Sequence, residues 1–282
     1  MARSRYQRRS GPIWAESRSS PVAFNFPIDL RRARILVSND DGIEAHGLKL
    51  LVKLARSLSD DVWVCAPEQE QSGASHSLTI HRPLRIRKLD TRRYAVDGTP
   101  TDCVLLAVNG LMHERRPDLM FSGVNAGGNM GEDVIYSGTV AAALEATLLG
   151  VPAIAFSQHS DEGGKFWWPT ATAYMPRVVR RLVRHGWPSN TLINVNFPDR
   201  PPRKVKGIHV TSQGRRKIGD NLVERRDPRG RPYYWIGPMR DEQRTRRGTD
   251  VKAVVEGYVS VTPVFFDLTS RRVLARLRKA FH

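Results

Sequence analysis

The stretch Arg34-Ile35-Leu36-Val37-Ser38-Asn39-Asp40-Asp41-Gly42 decides the fold. Ile35-Leu36-Val37 is a short apolar run, the pattern of a buried strand, and it breaks off into a polar turn. Leu48, Leu51, Val52, Ala55 and Leu58 then follow at helical spacing, and Val62-Trp63-Val64-Cys65 is a second strand. Outward from this point the alternation continues. Leu78, Ile80, Leu84 and Ile86 alternate like a half-exposed strand. Thr99-Pro100-Thr101-Asp102 announces a helix, with Thr99 as N-cap, Pro100 at the first position and Asp102 as capping-box partner.

Pro117 precedes a strand at Leu119-Met120-Phe121. A helix from Thr139 to Leu149 stops at Gly150, and Pro152 leads into the strand Ala153-Ile154-Ala155-Phe156. Tyr174, Val178 and Leu182 mark a further helix, followed by the strand Leu192-Ile193-Asn194-Val195. Strand and helix in alternation imply a doubly wound α/β fold, a mostly parallel sheet between helices, over residues 34–200. After Pro198 the texture changes. Residues 201–250 are rich in Arg, Gly and Pro around one aromatic island, Tyr233-Tyr234-Trp235. Val251, Ala253, Val255, Val259 and Val261 then alternate as strand material. The expectation for residues 201–282 is a β-hairpin subdomain, closing strands from 251–263 and a terminal amphipathic helix near Val273 to Phe281.

The 282 residues are 40% hydrophobic and 26% charged, a globular composition with room for a sizeable core. No apolar run approaches the ~18 residues of a membrane span. The formal charge is +17, but it is unevenly spread. Residues 1–34 carry +6, residues 201–250 carry +8 and residues 270–282 carry +5, which leaves −2 for everything else. Residues 1–33 lack hydrophobic periodicity and read as a disordered basic extension. Cys65 and Cys103 sit in apolar runs and read as buried reduced thiols of a cytoplasmic protein.

Three strand ends carry the chemistry. Adjacent carboxylates at Asp40 and Asp41 repel, a cost best offset by a divalent cation, although Asn, Asp and Gly are also ordinary turn residues. The second strand opens into the polar loop Pro67 to His76. The strand at Leu119 ends in Ser122-Gly123-Val124-Asn125-Ala126-Gly127-Gly128-Asn129-Met130-Gly131, whose glycines suit close backbone approach. Ser137-Gly138-Thr139 then opens a helix, either as an anion site or as an ordinary N-cap. There is no Walker lysine and no Gly-x-Gly-x-x-Gly after the first strand, so nucleoside triphosphatase and dinucleotide chemistry lack support.

Ile35 to Ile43 resembles the opening motif of the survival protein E (SurE) family of metal-dependent nucleotide phosphatases. So do Ser72-Gly73-Ala74-Ser75, Gly98 to Val104, Ser122 to Gly127, Asn129 to Ala143, Gly248-Thr249-Asp250 and Gly257 to Pro263. The resemblance implies one divalent metal ion per subunit, manganese, magnesium or cobalt, held by Asp40, Asp41, Ser72 and Asn125. Asn39, Asn129, Ser137, Gly138 and Thr139 are then the expected phosphate contacts. The expected chemistry is Lewis-acid polarisation of the phosphoryl oxygen with in-line attack by a metal-activated water, which Asp40 orients or deprotonates. Implied substrates are nucleoside 5′- and 3′-monophosphates and, in some members, short polyphosphate. A homodimer or homotetramer built by exchange of C-terminal elements is implied as well.

Two other readings compete. An aspartyl-phosphate phosphatase wants two acids separated by one residue, whereas Asp40 and Asp41 are adjacent. A nucleic-acid-binding protein would use the basic extension and insertion, through contacts that are non-specific and salt-sensitive.

Overall fold

The computed structural model describes residues 24–161, 164–216, 222–236 and 246–281. The chain opens with β1 (Arg34–Ser38), α1 (His46–Leu58), β2 (Asp61–Pro67), β3 (Ile86–Asp90) and β4 (Arg93–Val96). It continues through α2 (Pro100–Leu106), β5 (Leu119–Ala126), α3 (Gly138–Leu148), β6 (Ala153–Gln158), α4 (Trp168–His185) and β7 (Thr191–Phe197). The C-terminal part contains β8 (Ile208–Val210), β9 (Leu222–Arg226), β10 (Pro232–Ile236), α5 (Asp250–Val255), β11 (Val259–Phe265) and α6 (Arg271–Phe281).

Nine strands form one sheet in the order β3-β4-β2-β1-β5-β6-β7-β11-β8. The block from β4 to β7 is parallel, while β3 and β11 pair antiparallel to their inner neighbours. This is the doubly wound, mostly parallel α/β architecture. Side chains alternate across it, so Ile35, Val37, Phe121, Ile154 and Phe156 pack on one face with α1 and α4. Leu36, Cys65, Met120, Ala153 and Ala155 pack on the other, with α2 and α3. Both cysteines are buried and unpaired. The chain runs from β1 outward to β2, then returns to β5 on the opposite side of β1. The gap between β1 and β5 is therefore the topological switch point, where doubly wound sheets leave a crevice at the strand ends.

The capping signals act as written at α2. Thr99 accepts the Asp102 N–H at 3.1 Å, and the Asp102 carboxylate accepts the Thr99 N–H at 2.8 Å. Among the described residues no helix is long and apolar enough to cross a membrane.

Three boundaries differ from the sequence expectation. Residues 24–33 belong to the packed fold, whereas residues 1–23 of the expected extension lie outside the described residues. Phe26 meets Trp187 at 4.6 Å between ring centroids, Ile28 donates its N–H to Val183, and Ala33 is buried. Leu78 to Arg85 form no strand, because Asp102 takes both the N–H and the hydroxyl of Thr79 and pins that backbone to the start of α2. Asp250 to Val255 form α5 rather than a strand. Thr249 caps that helix, and Val251 and Val254, three apart, are buried together with Ala253. The only strand within 251–263 begins at Val259.

β9 and β10 form a separate antiparallel ribbon. Its Tyr234, Trp235 and Ile236 are 58%, 63% and 72% exposed. No residue of α6 is buried, and Val273, Leu277 and Phe281 are exposed on it.

Candidate active site

Asp40 and Asp41 leave β1 directly into the switch-point crevice. Asp40 is buried at 4% exposure, and its carboxyl group is pushed up to about 7 by burial first and by the neighbouring Asp41 charge second. Asp41, half-buried, is also shifted upward by burial, against the counter-effect of the Ala126 N–H, which reaches Asp41 Oδ2 at 3.2 Å. Two desolvated carboxylates side by side store an electrostatic cost that a cation would relieve.

The start of α3 lies against this pair. Thr139 Oγ1 donates to Asp40 Oδ1, and the Thr139 N–H further favours the ionised form of Asp40. Gly138 makes the approach possible. A Cβ there would sit 2.7 Å from Asp40 Cβ and 3.0 Å from Asp40 Oδ2. Ser137 is the N-cap, its Oγ accepting the Val140 N–H at 3.1 Å. The positive end of the helix thus faces Asp40, and its first-turn N–H groups face the space beside it.

The other expected ligands stand beyond two neighbouring strand ends. Asn125, at the end of β5, commits its amide nitrogen to Gly127 O at 2.9 Å, leaving its oxygen as the donor atom for a cation. Gln71 donates its N–H to Asp40 O at 2.8 Å, which brings the loop carrying Ser72 to the rim. Ser72 itself is exposed, with its hydroxyl turned to Glu70 Oε1 at 2.8 Å. Among the described residues no trio of His, Cys, Asp and Glu gathers around one point. The candidate donors are two carboxylates plus neutral amide and hydroxyl oxygens, a set of the kind that hard divalent ions favour.

The expected phosphate contacts divide. Gly138 and Thr139 stand at the carboxylate pair. Asn129 is buried, and its side chain donates to Ser157 Oγ at 2.8 Å, so it braces the turn before α3. Asn39 is fully buried, its amide nitrogen donating to Gly42 O at 2.9 Å and its Oδ1 lacking a hydrogen-bond partner among the described residues. The spare group of Asn39 is therefore an acceptor, which suits a cation or water better than a phosphate oxygen.

Several working residues escaped the sequence reading. Asp102 was read only as a helix cap, yet it also holds the Ser72 loop through Thr79. His76, further along that loop, meets Glu145 of α3 at 2.9 Å. A lone acid in the apolar run Val140 to Ala146 was the available signal. Asn194 and Asn196 of β7 donate to Asn129 O at 2.8 and 3.0 Å. Asp250, of the Gly248-Thr249-Asp250 motif, is fully buried behind the same turn.

Fold and site together define a doubly wound α/β protein with a carboxylate pair and a helix N-terminus meeting at its switch point. The family described as Survival protein SurE matches residues 35–220, and the chain belongs to that family. It is 58% identical over 248 residues to the 5′-nucleotidase SurE of Paramagnetospirillum magneticum, covering 88% of this chain and 95% of that protein. It is 56% identical over 256 residues to the 5′-nucleotidase SurE of Rhodospirillum rubrum, covering 90% and 98%. The crystal structure of the SurE protein from Aquifex aeolicus superposes with a TM-score of 0.78 at 40% identity, over 88% of this chain and 99% of that one.

Proposed function

We propose that this chain is a nucleotidase that hydrolyses nucleoside 5′- and 3′-monophosphates, and short polyphosphate in addition, with one divalent cation per subunit. The observation that carries the reading is buried Asp40 beside half-buried Asp41, facing the N-terminus of α3 at the switch point. The names of the relatives, 5′-nucleotidase SurE, supply the substrate class. Asp40, Asp41, Ser72 and Asn125 would hold the cation, manganese, magnesium or cobalt. When bound, it would supply Lewis-acid polarisation of a phosphoryl oxygen.

The chain's own residues account for the remaining steps. The N–H groups that open α3 at Gly138 and Thr139 orient the phosphate against the helix dipole, with Ser137 capping that turn, Asn129 bracing it, and Asn39 reaching the phosphate through a water held by its spare oxygen. Thr139 occupies Oδ1 of Asp40, so Oδ2 is the atom that orients the attacking water and takes its proton. Without a cation, burial pushes this carboxyl group up to about 7; a bound cation would favour its ionised form, the form that can accept the water's proton.

A second copy of the chain covers the ribbon β9–β10 and α6, giving a homodimer or homotetramer in the cytoplasm. Exposed Tyr234, Trp235 and Ile236, and a helix with no buried residue, support this. The deciding experiment is phosphate release from a panel of 3′- and 5′-monophosphates and tripolyphosphate, with manganese, magnesium or chelator. Release that requires the cation and disappears in Asp40→Asn is expected. Turnover that persists in chelator, or in the variant, would rule the mechanism out.

A further inference from the structure

The ribbon β9–β10 is joined to the body through two roots, residues 212–216 and 246–250. Ser212 and Thr249 form an isolated parallel bridge, Ser212 donates to Gly248 O at 3.0 Å, and Asp250 donates to Ser212 O at 2.9 Å. These roots do more than close the base of the ribbon. Asp250 Oδ2 accepts the Gly131 N–H at 3.0 Å, while its Oδ1 accepts N–H groups from Gly214 at 2.7 Å and Val251 at 2.8 Å. Gln213 Nε2 donates to Gly131 O at 2.7 Å, so the two roots take both polar groups of Gly131.

The fit around Gly131 is close. Its φ is +57°, and a Cβ would lie 2.7 Å from the Arg216 nitrogen. Arg216 donates its backbone N–H to the Glu132 carboxylate, and its Nε lies 3.2 Å from Asp133 Oδ2 in a buried ion pair. Met130 packs in a small apolar cluster with Val251 and Val254 of α5. Residues 130–133 are thus gripped at every position by the C-terminal segment. They are also the turn that runs from Asn129 to Ser137-Gly138-Thr139.

We propose that the base of the ribbon sets the geometry of the phosphate-binding turn, with Asp250 as the positioning residue. This rests on the nucleotidase reading for what the turn binds. The turn after Met130 is a single 3₁₀ segment, Gly131–Ile135, without strand partners, so its placement depends on groups that reach it from elsewhere. Asp250 is suited to that work because a carboxylate can accept several N–H groups at once and binds them more strongly than a neutral acceptor does. Asp40 and Asp41 follow β1, Ala126 at the end of β5 holds Asp41 and Thr139 of α3 reaches Asp40, while the ribbon roots bond to neither carboxylate. Loss of Asp250 therefore separates phosphate binding from cation binding.

The test uses full-length Asp250→Asn, Asp250→Ala and Gln213→Ala beside the wild type. Readouts are kcat and KM for a nucleoside 5′-monophosphate, the affinity for inorganic phosphate by calorimetry, and the manganese concentration for half-activation. Asp250→Ala is expected to raise KM and to weaken phosphate binding by about tenfold or more, with half-activation within about twofold of wild type. Asp250→Asn keeps one acceptor oxygen and recovers part of the loss. Gln213→Ala moves in the same direction by about two- to threefold. Folded variants with unchanged KM and phosphate affinity would overturn the proposal, as would parallel loss of cation and phosphate affinity. If Asp250→Ala does not fold, unchanged phosphate affinity in Gln213→Ala overturns it. A wild type that releases no phosphate from any nucleotide sinks the nucleotidase reading instead, and phosphate calorimetry still decides the role of Asp250.

Discussion

The hydroxyl of Thr139 donates to the carboxylate of Asp40 across 99 positions of sequence, joining the first residue turn of α3 to the end of β1. This bond favours the ionised form of Asp40 against burial and against Asp41, both of which favour the protonated form. Removing it in Thr139→Val leaves the shape nearly intact and shifts the balance toward the proton. The acid limb of the kcat/KM profile is expected to move up by about one pH unit, with activity at low pH falling most. A profile that only drops in height, with its limb unmoved, would mean that Thr139 acts on the substrate and not on Asp40.

The same carboxylate predicts how the cation-free protein responds to pH. Its folded pKa of about 7 stands above the ordinary value of 3.8, so the native state keeps a proton that the unfolded chain releases between those values. Stability therefore falls as pH rises through that window, by up to about 4 kcal/mol if Asp40 acts alone. A cation displaces the proton, so its affinity rises about tenfold per pH unit up to neutrality and then levels off. Melting curves of chelated protein and manganese calorimetry across this range check both slopes. A melting temperature that climbs steadily with pH would contradict the burial argument.

Asp40→Asn separates function from stability. The amide carries no charge to desolvate and no charge to repel Asp41, while it can still accept from Thr139. The chelated variant is expected to melt several degrees higher than wild type at pH 7.5, with phosphate release reduced by about a thousandfold or more. Equal melting temperatures in chelator would show that Asp40 is stored without the strain assigned to it.

The site was legible wherever its residues lie in one local pattern. Asp40-Asp41-Gly42 after an apolar run and Ser137-Gly138-Thr139 before a helix each state their own conformation, through strand-end position and cap chemistry. What was not legible depends on distant partners. Val251, Ala253 and Val255 satisfy a strand period, yet the Thr249 cap and burial of Val251 with Val254 select a helix. Leu78 to Ile86 alternates correctly, but the claim of Asp102 on Thr79 keeps residues 78–85 out of the ladder. Phe24 and Phe26 lie beside an arginine-rich segment that masks them, and only Trp187, far along the chain, reveals their purpose. For the same reason Asp250 and Glu145 look ordinary in sequence.

Asp102 is the residue where fold and site are hardest to separate, and its replacement is informative for that reason. Its carboxylate is 1% exposed and accepts from Thr79 N, Thr79 Oγ1 and Thr99 N, at 3.0, 2.6 and 2.8 Å. Thr99→Ala removes the helix cap and the bond of the Thr99 hydroxyl to Ser77 O at 2.8 Å, and should cost about 1–2 kcal/mol. Asp102→Ala leaves three donors without their acceptor and should cost about 2–4 kcal/mol. The two differ at the site as well. Thr79 anchors the far end of the loop that carries Ser72, so Asp102→Ala should also raise the manganese needed for half-activation by about three- to tenfold. Thr99→Ala, which loses one bond to that loop at Ser77 against the two that Asp102 makes at Thr79, should raise it by less. Chemical denaturation paired with manganese titration reads both quantities on each variant. If the two variants share one manganese requirement, the bonds of Asp102 to Thr79 add nothing to the hold on the loop.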